Sequence, residues 1–155
     1  MSRRIWIPAV VAGLGALFAI MPLAASGGSG GHVMIGERNV LTSSSTQSGT
    51  FSIAGSVSDS GSVSVTFTLT PSGDDRAFID GDHVLQGSLG TLVIRTHAMV
   101  FPFPASRAFV EGRWVVVSGT GTYAGMQGGG SIRAVGDFTN GTVTIVREGA
   151  VNGSD

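Results

Sequence analysis

The chain reads as an all-β protein: an antiparallel up-and-down barrel of about eight strands, preceded by an N-terminal signal peptide. Three observations predict this. Period-2 alternation of apolar and Ser/Thr residues dominates after residue 48. Short turn signals separate the alternating runs. No segment beyond the first 26 residues carries a 3.6-residue apolar pattern. Sequential hairpins favour closure into a barrel, which removes exposed sheet edges.

Taken in order, Arg3 and Arg4 form a positive start, residues 5–23 are apolar, and Ala24-Ala25-Ser26 offers the small residues a signal peptidase reads. Residues 1–26 are therefore expected to be a signal peptide, and the mature protein to be secreted or extracytoplasmic. The apolar run also approaches the roughly 20 residues that span a bilayer, but its prolines and small-residue exit favour cleavage. The paired arginines before Ile5 also resemble the twin-arginine export signal. Residues 27–32 read as a flexible lead-in, 33–150 as the barrel domain and 151–155 as a loose tail.

Within the domain, residues 33–41 are a candidate first strand and 43–48 a flexible Ser/Thr connection. Phe51, Ile53 and Val57 share one face, as do Val63, Val65, Phe67 and Leu69, with a turn expected at Ser58-Asp59-Ser60-Gly61. Residues 71–82 read as a polar loop and 83–88 as a short strand. A longer strand over 91–101 is stopped by Pro102 and Pro104. Residues 106–118 are extended, with a turn or bulge expected at Glu111-Gly112. Strands over 131–138 and 142–147 flank Asn140-Gly141, a strong hairpin signal.

Composition narrows the function. There is no cysteine, which excludes disulfides, thiolate metal sites and a cysteine nucleophile. The nine basic residues, all arginine, face ten acids, and loss of Arg3 and Arg4 makes the balance more acidic. No basic patch with interleaved aromatics exists, so nucleic acid is not an expected partner. Stable membrane insertion is not expected once the signal is removed.

The glycine-rich run from Ser118 to Ile132 holds the protein's one tyrosine, Tyr123, between a valine-rich strand and an alternating one. Residues 112–132 resemble the allene oxide cyclase-like barrel superfamily, which includes plant dirigent proteins and exported bacterial domains. Gly119, Gly121, Tyr123, Gly125 and Gly128 occupy the shared pattern. The resemblance implies an eight-stranded barrel with an apolar cavity, and relatives that are often trimers. It carries over no active site. Independently, a barrel corner needs conformations that glycine tolerates. Tyr123 would plug the barrel end or pack over Trp114, its hydroxyl bonding to backbone. A phosphate-loop reading of Gly119-x-Gly121 fails, because neither a helix nor a lysine follows.

Candidate chemistry is sparse. Arg95 and His97 share a strand face with Val93, Met99 and Phe101; if that face lines a cavity, Arg95 could hold a carboxylate and His97 move a proton. The competing reading turns that face outward, with Leu92 and Ile94 inside. Glu111 is a candidate acid or base, or one half of a surface ion pair with Arg113. Asp80-Gly81-Asp82-His83, with Asp74 and Asp75, could hold a metal but lacks the calcium-loop pattern, and a solvated acidic loop is preferred. No metal and no cofactor are expected. No Gly-x-Ser-x-Gly elbow supports a hydrolase.

The resulting expectation is an exported barrel that binds a small hydrophobic or amphipathic ligand, lipid-derived or aromatic. Tyr123, Trp114, Phe67 and Phe51 are expected at its cavity or barrel end. One alternative is a cyclase or isomerase on such a substrate, with Arg95, His97 and Glu111 as its polar groups. Another is a structural or partner-binding surface module. Val115 and Val117, facing opposite to Trp114 and Val116, hint at a homo-oligomer, dimer or trimer.

Overall fold

The computed structural model describes residues 30–73, 75–103 and 106–153. The signal peptide expected over residues 1–26, Asp74 of the acidic loop and Pro104 lie outside the described residues. Eight strands form a closed antiparallel barrel in simple sequence order, each hydrogen-bonded to the next and β8 returning to β1. They are β1 (Gly31–Leu41), β2 (Thr46–Gly55), β3 (Asp59–Pro71), β4 (Ala77–Gly87), β5 (Gly90–Phe103), β6 (Arg107–Gly119), β7 (Gln127–Asp137) and β8 (Thr142–Asn152). Closure pairs Gly31 with Val151 at one end of the β1–β8 seam and Val40 with Thr142 at the other. No helix among the described residues is long and apolar enough to cross a membrane.

The period-2 pattern produces this barrel directly, since successive side chains alternate between interior and exterior. On β3, Val63, Val65 and Phe67 are buried while Ser62, Ser64 and Thr66 are exposed. Burial of such side chains is worth about 1.5–3 kcal/mol each.

Several boundaries move, each for a reason visible in the pairing. The 71–82 stretch is mostly strand: residues 77–82 continue β4, because they face Pro71 to Thr66 on β3 and Val100 to Arg95 on β5. Asp59 to Gly61 belong to β3 rather than to a turn, paired to Ile53, Ser52 and Phe51. Thr46 to Ser48, within the Ser/Thr tract, open β2. The tail does not begin at residue 151, because Val151 is buried and paired on both sides. The irregularity in the β5–β6 pairing falls at Val93/Ile94, where the register shifts, and not at Glu111-Gly112. Pro102 does not end β5, which runs to Phe103 opposite β6.

Between β6 and β7 the chain makes a single 3-10 turn, Gly121–Tyr123, that folds Tyr123 inward. Gly121, Gly125 and Gly128 have positive φ, and a Cβ on Gly119 would lie 2.2 Å from the Tyr123 carbonyl oxygen. The glycines are thus required by the corner itself. Tyr123 and Met126, both buried, occupy this end of the barrel.

Candidate functional site

Halfway along the barrel the apolar interior is interrupted by a layer of buried polar side chains: Glu37, Asn39, Gln47, His83, Thr96 and Arg147. Each sits at an inward position of an otherwise apolar strand face. Glu37 and Asn39 continue the face of Val33 and Ile35 on β1. Thr96 lies between Ile94 and Ala98 on β5, and Arg147 follows Val143 and Ile145 on β8. Strand alternation drives these groups into the interior, where each needs a partner.

The Glu37 carboxylate organises the layer. Arg147 Nη1 donates to Glu37 Oε1, and neither side chain has any exposure. On the other carboxylate oxygen, Oε2, Glu37 faces His83 Nδ1 at 3.0 Å and accepts from Asn39 Nδ2 at 2.9 Å. Asn39 Nδ2 also donates to Gln47 Oε1 at 3.3 Å, and Arg147 Nη2 donates to Thr96 Oγ1 at 3.3 Å. Asn39 Oδ1 and Arg147 Nε have no partner among the described residues.

Burial opposes the Glu37 charge, but Arg147 and the His83 and Asn39 hydrogen bonds outweigh it and hold the carboxyl well below its ordinary range. An ionised carboxylate only accepts, so His83 Nδ1 carries the hydrogen of their bond. Burial pushes the His83 pKa down, and the Arg147 charge adds to that; Glu37 and Asp82 pull it the other way without prevailing. His83 is therefore a neutral imidazole with its lone pair on Nε2. Burial also lowers the Arg147 pKa against the pull of Glu37, but a guanidinium starts so high that it stays charged.

Beside this layer lies a cavity open to the centre of a water molecule over about 90 Å³. Its walls include Val65, Phe67, Ile79, Val110, Ile132 and Ile145, and among the described residues Gln47, His83 and Thr96 are the polar side chains that line it. Gly81 and Gly136 also face it and add no side chain. Leu69 and Phe138, each about half exposed, line it too and mark its rim. One water needs roughly 10–15 Å³ by this measure, so the space suits a small organic body.

The barrel end at Tyr123 is built differently. Tyr123 donates its hydroxyl to Asp59 Oδ2 at 2.7 Å, not to backbone as expected. Asp59 also accepts from the Ser60, Ser88 and Leu89 amides and from the Ser88 hydroxyl. Partial burial opposes ionisation of Asp59, but these hydrogen bonds outweigh it and bring its carboxyl down to about 2.

The structure separates the residues singled out in the sequence. Phe67 lines the cavity. Phe51 and Trp114 are buried in the core without lining it, and the Trp114 indole N–H donates to the Glu148 carbonyl at 3.3 Å. Arg95, His97 and Glu111 all lie on the exterior. Arg95 pairs with Asp82, His97 with Asp80 and Glu111 with Arg133, each directly opposite on the neighbouring strand. The face they share is thus the wet one, and Ile94, Thr96 and Ala98 take the inside. Glu111 pairs with Arg133 and not with Arg113. Asp80 and Asp82 point outward and His83 inward, so strand alternation breaks up that metal set; among the described residues no three His, Asp or Glu side chains converge. Val115 and Val117 are exposed.

Sequence reasoning missed Glu37, Asn39, Gln47, Thr96 and Arg147, and weighed His83 only as a metal ligand. The signal was a charge in phase with an apolar face: Ile35-x-Glu37 and Ile145-x-Arg147.

No family model, no curated protein and no solved structure matches the chain.

Proposed function

We propose that this protein is an exported barrel that binds a small hydrophobic or amphipathic molecule in the cavity beside the polar layer. One observation carries the reading: an apolar chamber whose polar lining groups, Gln47, His83 and Thr96, all belong to one hydrogen-bonded layer. Ligand sites combine mostly apolar walls with a few placed polar groups in this way. The signal-like first 26 residues and the likeness of residues 112–132 to allene oxide cyclase-like barrels support it further. Native mass spectrometry of the secreted protein tests it. We expect one small molecule per chain, retained from the medium or acquired from a lipid extract and released on denaturation. A bare chain after both treatments would overturn the reading.

The His83 lone pair supports a second reading, an isomerase. Nε2 would take a proton from the carbon between the carbonyl and the double bond of a β,γ-unsaturated ketone. The electron pair would shift onto the carbonyl oxygen, held by Gln47 and Thr96 donors, and the proton would return at the γ carbon. Incubation of such a ketone in deuterated water tests this. Deuterium incorporation and conversion to the conjugated isomer, both abolished in His83→Phe, are expected; no conversion above the buffer rate would exclude it.

A further inference from the structure

The polar layer specifies the head group of the ligand, an inference that rests on the cavity reading above. Hydrogen-bond direction propagates outward from Glu37 along two branches. In the first, the carboxylate takes the Nδ1–H of His83. The ring's other nitrogen is then an acceptor, and no hydrogen bond to Nε2 is found among the described residues. His83 is 96% buried, with 4% exposure, and lines the cavity. In the second branch, the carboxylate takes one hydrogen of Asn39 Nδ2, and the other goes to Gln47 Oε1. This sets the orientation of both amides. Gln47 Oε1 faces Asn39, so its NH₂ is the end left for the cavity that Gln47 lines. One carboxylate oxygen thereby places an acceptor and a donor on the same chamber.

No cation among the described residues accompanies them on the cavity wall. The guanidinium of Arg147 is committed to Glu37 and Thr96 and does not line the cavity. Apart from His83, no titratable side chain among the described residues lines the chamber. An anionic head would meet a lone pair backed by a carboxylate, in apolar surroundings where a charge is costly. A purely apolar ligand would leave the acceptor and donor unpaired, which weakens binding.

We propose that the cavity selects a neutral hydroxyl compound, a phenol or alcohol with an apolar body, whose O–H donates to His83 Nε2 and whose oxygen accepts from the Gln47 amide. A hydroxyl both donates and accepts, so one group can satisfy both branches at once. The sequence expectation of an arginine-held carboxylate is replaced by recognition without net charge.

The test compares phenol, toluene and benzoate on the intact mature protein at neutral pH, with binding followed by ¹⁵N-detected NMR of the histidine rings. Phenol and toluene share a shape, and water releases toluene more readily, so shape and hydrophobicity alone favour toluene. We expect phenol to bind about tenfold or more tightly than toluene, benzoate to bind weakest, and the His83 Nε2 resonance to move with phenol only. In His83→Phe the preference for phenol should vanish. Should that variant not fold, the Nε2 shift in the unaltered protein decides the matter by itself. Toluene binding as tightly as phenol, benzoate binding best, or an unmoved Nε2 resonance would overturn the head-group inference and leave the cavity reading standing. Failure of all three to bind would overturn both.

Discussion

Glu37 and His83 meet across the interior at 3.0 Å although they lie on β1 and β4, strands that are not neighbours in the barrel. Their bond crosses the lumen, and the pairing of Glu37 with Arg147 joins it to the β1–β8 seam. The layer therefore cross-braces a barrel whose other long-range contacts run mainly between adjacent strands.

A buried pair of this kind is costly to break from one side, because the survivor is left charged and uncompensated. Glu37→Gln and Arg147→Met should each lower stability by about 3–5 kcal/mol. The double variant Glu37→Gln/Arg147→Met removes both charges and should recover part of that loss. Urea unfolding of the four proteins closes the cycle. Single variants costing under about 1 kcal/mol would mean that the pair does not brace the barrel.

The neutral state of His83 predicts a pH dependence with a definite sign. Its folded pKa lies below the ordinary 6.5, so the unfolded chain takes up the proton first as pH falls. Stability should be full above about pH 6.5 and decline below it, by at most about 1.4 kcal/mol per pH unit for one group. Glu37 acts in a lower window. Its contribution holds above the ordinary 4.5 and is lost only as pH falls towards its depressed folded value. Unfolding free energies between pH 5 and 7.5 should slope in the unaltered protein and flatten in His83→Phe; parallel curves would show that His83 is not the group responsible.

At the opposite end, Tyr123→Phe deletes a hydrogen bond to a carboxylate while keeping the ring. Asp59 is partly exposed, so the cost should be small, about 1 kcal/mol. The Asp59 carboxyl should titrate above its value of about 2, since the Tyr123 hydroxyl is among the groups holding it down. The stability Asp59 contributes is present above its ordinary 3.8 and lost as pH falls through about 2. Carbon-detected NMR titration of Asp59 reads the shift, and an unchanged midpoint would remove Tyr123 from the causes.

The barrel was legible because alternation is local: Val63-x-Val65-x-Phe67 declares a strand and its buried face without any knowledge of neighbours. Residues 77–82 look like loop in the sequence because Asp80, Gly81 and Asp82 carry poor strand propensity. Cross-strand partners His97 and Arg95 overrule that propensity, and they are distant in sequence. The same distance hid the site. Which face of β5 points inward depends on closure of the whole sheet, so Arg95 and His97 looked as eligible as Thr96. Glu37 and Arg147 are 110 residues apart, and neither signals a partner alone. The corner at Gly119 to Gly128 was legible as structure, because its demand for glycine is set by backbone geometry within a few residues.

Gly136 offers the most direct control over the cavity. It faces inward on β7 between Ala108 and Val143, and a Cβ there would come no nearer than 3.7 Å to Phe138 Cζ, an ordinary contact. Gly136→Val should therefore be accepted by the backbone, place its methyl groups in the chamber and change stability by no more than about 1.5 kcal/mol. Binding of phenol should fall by about tenfold or more, since the volume it needs is filled while Gln47 and His83 stay in place. Calorimetric titration of the two proteins checks this together with their thermal unfolding. A variant that folds normally and binds phenol as well as the parent would place the ligand elsewhere than in this cavity.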